Sequence, residues 1–153
     1  MRHSPKRIIC LTEETVETLY LLEEQDRIVG VSGYAVRPSQ VRREKPRISA
    51  FISANIPKIL NLKPDLVLSF SDLQADIVGD LIREGIEVHA FNQRSIEGIL
   101  EMIYTLGAII GVQDKAEKLV VQLENRMENI KKETSKCRRK RVYFEEWDNP
   151  LIS

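Results

Sequence analysis

Short apolar runs alternate along the chain with segments whose apolar positions recur every three to four residues. Ile8, Ile9, Cys10 and Leu11 form the first run, a buried-strand candidate. Thr12 then stands where a helix cap is wanted, and Glu13 and Glu14 fall in the first turn, where carboxylates favour the helix dipole. Val16, Leu19 and Tyr20 continue at helical spacing. Ile28 to Val31 predicts a second strand, closed by the turn-like Ser32 and Gly33. From Tyr34 to Ala54 the pattern is irregular, with Pro38, Pro46 and many charges, and predicts a long loop with room for one short helix. Loops this long inside a compact domain are usually functional or disordered.

Asn55 and Pro57 predict the start of a short helix that runs to Leu62 and is stopped by Lys63 and Pro64. Leu66 to Phe70 is the clearest buried strand. Ser71 with Gln74 three residues on reads as a capping box, opening a helix with Leu73, Ile77, Val78 and Leu81 on one face. Gly85 ends it, and Ile86, Val88 and Ala90 alternate with Glu87, His89 and Phe91 as the fourth strand. Ser95 caps a helix bearing Ile96, Ile99, Leu100, Ile103 and Leu106. After Gly111 comes the longest helix, Asp114 to Ser135, about 33 Å at 1.5 Å per residue. Its apolar stripe is Ala116, Leu119, Val120, Leu123, Met127 and Ile130, and one more strand candidate, Arg141 to Glu146, follows. Strands alternating with helices predict an α/β fold with an open, mainly parallel sheet flanked by helices. Ligands of such sheets sit beyond the carboxyl ends of the strands. That rule singles out the loops at Thr12, Ser32 to Pro38, Phe70 to Gln74, and Phe91 to Ser95.

Composition narrows the classes. With 153 residues, 42% hydrophobic and 30% charged, the chain is neither collagen-like, disordered nor disulfide-stapled. Its 23 basic residues balance 23 acidic ones, which removes any general attraction to nucleic acid or anionic membrane. Cys10 and Cys137 suggest neither a disulfide framework nor a metal site. The longest apolar stretch, Leu106 to Val112, is far short of the ~20 residues of a membrane span. The opening MRHSPKRIICLTEET holds no apolar run of signal-peptide length.

The search for chemistry excludes more than it finds. No G-x-G-x-x-G follows the first strand, no Walker sequence is present, and LTEET sets two carboxylates where phosphates want glycine and backbone amides. No G-x-S-x-G, H-E-x-x-H or Cys-x-x-Cys occurs. His89 has no ligand partner near it in sequence and reads as a structural histidine, and Glu13 and Glu14 read as dipole-favouring carboxylates. Lys131 to Arg141, with seven basic residues and one acid, reads as the solvated carboxyl-terminal end of the long helix, since no stacking aromatics are interleaved. Aromatic residues are only 6% of the chain, so their placement is informative: Tyr34, Phe51, Phe70, Phe91 and Trp147 all fall at strand ends or in loops. Phe70 and Phe91 suit a core equally well. Tyr34, Phe51 and Trp147 stand among polar and turn residues and suit a ligand or partner.

An ordered set of segments resembles one family, the bilobed periplasmic binding proteins that feed cobalamin, iron-siderophores or haem to ABC importers, and most closely their cobalamin-binding branch. RIICLTEETVETLYLL (Arg7 to Leu22) resembles the opening strand and helix, and RIVGVSGYAVRP (Arg27 to Pro38) the first binding loop. SAFISANIPKILNLKPDLVLSF (Ser49 to Phe70) holds the L-K-P-D-L-V core by which the family is best known. SIEGILEMIYTLGAIIGVQDKAEKLVVQLENRM (Ser95 to Met127) is similar to the helix pair leading into the inter-lobe helix, and RVYFEEWDNPLIS (Arg141 to Ser153) to the start of a second lobe.

The resemblance implies an amino-terminal ligand-binding lobe over residues 1–112, a long inter-lobe helix and basic linker over 113–140, and the start of a truncated second lobe over 141–153. It implies a non-enzymatic substrate-binding component of an ABC importer, with no covalent cofactor and with cobalamin or a related corrinoid as the transported ligand. Carried over by position, the first-lobe contacts are Tyr34, Phe51, Ser71 and Asn92, with Trp147 approaching from the second lobe. Asp72 and Asp76 fall near the carboxylate that docks on the importer's membrane subunits. Arg37 and Arg94 keep an anionic siderophore, or haem, as the alternative ligand; a nucleotide-binding α/β enzyme domain is the alternative of another class. The family's location is extracytoplasmic, whereas the chain as written has no export signal and would be cytoplasmic if complete. A strand over Arg141 to Trp147 without its lobe is expected to be disordered or to pair with a second copy as a two-fold homodimer.

Overall fold

A computed structural model describes residues 4–145, together with the backbone of 147–148 and 151–152. Ile8, Ile9 and Cys10 are wholly buried, and such a run can satisfy its amides only between two other strands. That is where β1 (Ile8–Cys10) lies: in a five-stranded parallel sheet it pairs with β2 (Ile28–Ser32) on one side and β4 (Leu66–Phe70) on the other. The edges are β3 (Arg47–Ser49), beside β2, and β5 (Val88–Phe91), beside β4. The order β3-β2-β1-β4-β5 reverses its direction of winding between β1 and β4. This is the point in an open α/β sheet at which a crevice forms beyond the strand ends.

The connections are α1 (Glu13–Leu21), α2 (Val41–Glu44), α3 (Ile56–Asn61) and α4 (Ala75–Arg83), followed by α5 (Ile96–Ile110) and α6 (Gln113–Thr134). Ile9, Leu11, Ile48 and Val67 form one core cluster with Ile59 of α3 and Ile77 and Leu81 of α4. Strand alternation turns Ile8, Cys10 and Leu68 to the opposite face, and α1, which lies on β1 and β2, buries Val16 and Leu19. Asn55 and Ser95 cap their helices as expected, accepting from the Lys58 and Gly98 amides at 2.9 and 3.0 Å. Gly111, at φ 76°, closes α5 in the left-handed conformation that favours glycine. The helix pair α5–α6 is close enough at Gly107 that a methyl there would overlap Ala116.

Several expectations are corrected. The irregular segment 34–54 holds both α2 and an edge strand, β3, which has a single buried residue, Ile48, and so shows no alternation to read. The helix expected to open at Ser71 begins with a 3-10 turn over Asp72–Gln74, and Leu73 faces solvent. Thr12 stands at the start of α1, but its hydroxyl makes no cap bond and lies 3.4 Å from that of Thr15. The stripe of α6 is buried only at Ala116 and Leu119, whereas Met127 and Ile130 are exposed. By contacts the chain forms one unit ending at Val121 and another from Gln122.

The strand expected at Arg141 to Glu146 is absent over residues 141–145, where Val142, Tyr143 and Phe144 are exposed with no strand beside them. The pairing found is local: β6 (Trp147–Asp148) with β7 (Leu151–Ile152), antiparallel. Nothing among the described residues supports the expected homodimer through Arg141–Trp147. No helix among the described residues is long and apolar enough to cross a membrane.

Candidate functional site

All five strands are parallel, so the segments that follow them emerge on one edge of the sheet. After β2, the Ser32 hydroxyl accepts the Tyr34 amide at 3.2 Å and the Gly33 amide donates to the Ser49 carbonyl at 2.8 Å, tying this turn to the end of β3. Tyr34 itself is 57% exposed. After β3 comes Phe51, half-buried. After β4 comes Ser71, buried but held at φ 58° and ψ 179°, a backbone region that residues other than glycine enter only at a cost of about 1–3 kcal/mol. Its amide donates to the Phe91 carbonyl at 2.8 Å, and its hydroxyl accepts from the Leu73 amide at 3.3 Å. After β5 comes Asn92, exposed, followed by Gln93 and Arg94.

The four first-lobe candidates therefore share one edge, and hydrogen bonds join their segments pairwise: 33 to 49, and 71 to 91. Gln74 adds a further link. Its side chain is wholly buried, and it binds the backbone of Leu11, Phe51 and Phe70. The side chain of Trp147 lies outside the described residues.

The charged groups of this edge are largely paired with one another. Arg37 reaches Glu17 at 3.5 Å, Gln93 Nε2 donates to Glu14 at 3.1 Å, and Arg94 reaches Asp72 at 3.5 Å while lying 5.2 Å from the centre of the Phe70 ring. Asp76, in the first turn of α4, is exposed. Burial, helped by the neighbouring Glu14 carboxylate, holds Glu13 above the usual carboxylate range. Burial also pushes the Cys10 thiol up to about 12, so this cysteine is an inert core residue. The His89 ring packs at 4.4 Å from Phe91, and burial lowers its pKa.

Two hollows adjoin the edge. One of about 300 Å³ is lined by His89, Phe91, Asn92, Gln93 and Arg94 with part of α5, and one of about 690 Å³ by residues 47–50 and 53–57. Neither has Tyr34, Phe51 or Ser71 in its lining; these three stand on the edge itself. Among the described residues no group of three or more His, Cys, Asp or Glu side chains is placed to hold a metal ion.

A profile of the periplasmic binding protein family matches residues 8–153. An uncharacterized ABC transporter substrate-binding lipoprotein of Bacillus subtilis is 30% identical over 159 residues, covering 99% of this chain and 50% of that protein. A vitamin B12-binding protein of Salmonella typhi is 28% identical over 152 residues, covering 99% of this chain and 56% of that one. The chain thus spans about half the length of these curated relatives. Among solved structures, the periplasmic vitamin B12 binding protein of Vibrio cholerae superposes with a TM-score of 0.82 at 23% identity, over 97% of this chain and 58% of its own. A possible iron-binding periplasmic solute-binding protein of Staphylococcus epidermidis superposes with a TM-score of 0.84 at 24% identity, over 97% and 59%.

Proposed function

Because this chain belongs to the periplasmic binding protein family, we propose that its described sheet is the amino-terminal lobe of an ABC importer's substrate-binding component. In this reading the lobe holds a corrinoid against Tyr34, Phe51, Ser71 and Asn92, and Trp147 reaches the ligand from a second lobe. Residues 1–112 make the lobe, 113–140 the inter-lobe helix and linker, and 141–153 the start of the second lobe. Its work is binding without covalent chemistry, on the extracytoplasmic side of the membrane. Asp76, exposed at the start of α4, is the better placed of the two docking carboxylates toward the importer's membrane subunits, because Asp72 is already paired with Arg94.

The observation that carries the reading is the edge itself: an exposed Tyr34 and a half-buried Phe51 beyond parallel strand ends, with no phosphate cradle. Large ligands are held by apolar faces and a few fixed hydrogen bonds. Relatives named as vitamin B12-binding proteins support the cobalamin reading. An iron-siderophore or haem is the second reading, supported by the resemblance to a possible iron-binding protein. Arg37 and Arg94, the guanidinium groups an anionic ligand would use, face Glu17 and Asp72 in exposed 3.5 Å pairs that such a ligand would have to exchange. Calorimetric titration with cyanocobalamin, a ferric siderophore, haem and ATP tests this. Saturable binding of cyanocobalamin is expected; saturable binding of ATP with no response to the other three overturns the reading.

A further inference from the structure

The order of the strands makes the position of Phe51 unexpected. β3 lies at one edge of the sheet, and β2 and β1 separate it from β4. Yet the Phe51 carbonyl accepts a hydrogen bond, at 2.8 Å, from Gln74, which follows β4. The Phe51 carbonyl therefore reaches back past β2 to the same Gln74 amide that binds Leu11, the residue after β1. That carbonyl thus stands beside the junction of β1 and β4, where the winding reverses and an α/β sheet ordinarily offers its ligand.

Gln74 is the side chain that holds it there. The residue has no exposed surface, and its carboxamide makes three bonds to backbone. Oε1 accepts the Phe70 amide at 3.0 Å, and Nε2 donates to the Leu11 carbonyl at 3.3 Å and to the Phe51 carbonyl at 2.8 Å. The orientation is determined by its neighbours, since turning the amide over would set NH₂ against an N–H and an oxygen against two carbonyls. The other bonds of this segment are internal or run to β3: Ala50 N–H to Ser53 O at 2.8 Å and Asn55 N–H to Ile48 O at 3.0 Å. One bond of the Gln74 amide also adjoins Ser71, whose strained backbone must be held by its surroundings.

We propose that Gln74 is a positioning residue of the binding edge: its buried carboxamide fastens the Phe51 segment across the ends of β1 and β4. It closes the crevice, so that a ligand lies on top of the strap, against the Phe51 side chain, rather than down between the strands. This rests on the reading above that Phe51 faces ligand. The chemistry is specific to an amide, because two carbonyls and one N–H must be satisfied from one side chain. Methionine fills the same space and satisfies none of them. Glutamate satisfies the Phe70 amide but opposes both carbonyls until it is protonated, when it regains one donor.

Hydrogen exchange and calorimetry on Gln74→Met and Gln74→Glu test the assignment. In Gln74→Met the Ala50 and Asn55 amides are expected to lose protection about tenfold or more, while the Val67 amide, in the core, changes much less. Cyanocobalamin affinity is expected to fall by about tenfold or more. In Gln74→Glu both losses appear at about pH 8 and are partly recovered at about pH 5.5, as the buried carboxyl takes up a proton. A loss caused by general destabilisation would not be recovered at lower pH. Unchanged protection at Ala50 and Asn55 in either folded variant overturns the staple. Lost protection with unchanged cyanocobalamin affinity overturns its positioning role. If the wild-type chain binds none of cyanocobalamin, siderophore and haem, the ligand reading fails, and the exchange result still decides the staple.

Discussion

The ends of β4 and β5 stand side by side and manage their polar groups in opposite ways. Beyond β4, Gln74 is fully buried and spends its hydrogen-bonding capacity on three backbone groups. Beyond β5, Arg94 meets Asp72 at 3.5 Å with both side chains more than half exposed, and Asn92 is open to solvent. A buried polar group that loses its partner bears the full cost of desolvation, whereas an exposed ion pair exchanges one set of partners for water. The β4 end is therefore pinned at Gln74, whereas the exposed side chains of Asn92 and Arg94 beyond β5 are free to rearrange around whatever approaches them. A binding edge with one rigid and one yielding side can orient a ligand and still accommodate its outline.

The largest effect should come from the rigid side's foundation. Leu68, wholly buried at the centre of β4, is expected to cost about 2–5 kcal/mol when cut to alanine, read as a lowered denaturant midpoint with an unchanged slope. Next, Tyr34→Ala and Phe51→Ala should weaken ligand binding, by about 2 kcal/mol where the ring is central to the contact, with melting temperatures close to the parent. Variants that melt much lower but bind normally per folded molecule would make these rings part of the core. Arg94→Gln should change stability by less than about 1 kcal/mol, and less again at high salt. A large loss would mean that the β5 end is as fixed as the β4 end. The smallest effect is expected from His89. Burial lowers its pKa from 6.5, so the folded state favours the neutral ring. Its contribution is complete above pH 6.5 and is lost as pH falls through the lower folded value. His89→Gln should flatten the acid side of the stability curve slightly, as measured by urea unfolding over that range.

Much of the sheet was legible because its three central strands are almost wholly buried. Ile8 to Leu11, Ile28 to Val31 and Leu66 to Leu68 are continuous apolar runs, and burial on both faces demands such runs. β3 escaped notice because an edge strand with one buried side chain, Ile48, has no period to count. Tyr34, Ser71 and Asn92 fall in loops that the strand-end rule singles out, whereas Phe51 follows the unpredicted β3 and comes from its polar surroundings and the family resemblance. The role of Gln74 was not legible. Its spacing from Ser71 matches a capping box, a local pattern, whereas its bonds run to Leu11 and Phe51, 63 and 23 residues away. The signal available was a polar side chain in the first turn beyond a strongly apolar strand, β4. At a predicted strand end, that calls for tertiary partners before a local one. The stripe of α6 erred in the other direction: helical periodicity shows which side chains align, and a covering surface decides whether they are buried.

The central place of β1 has a consequence for how the chain is made. Ile8 pairs with Ile28 on one side and with Leu66 on the other, so one neighbour is translated soon after it and the second only 58 residues later. At about 5–20 residues per second, β1 and β2 are available to each other several seconds before β4 leaves the ribosome. Throughout that interval the most apolar strand of the sheet presents an open edge, the feature by which nascent chains join one another. The wait ends only when Leu66 to Phe70 arrives, and the Gln74 amide follows within a few residues to lock the seam. Mutations that slow the pairing of β4 should therefore lower yield during synthesis more than they lower the stability of protein already folded.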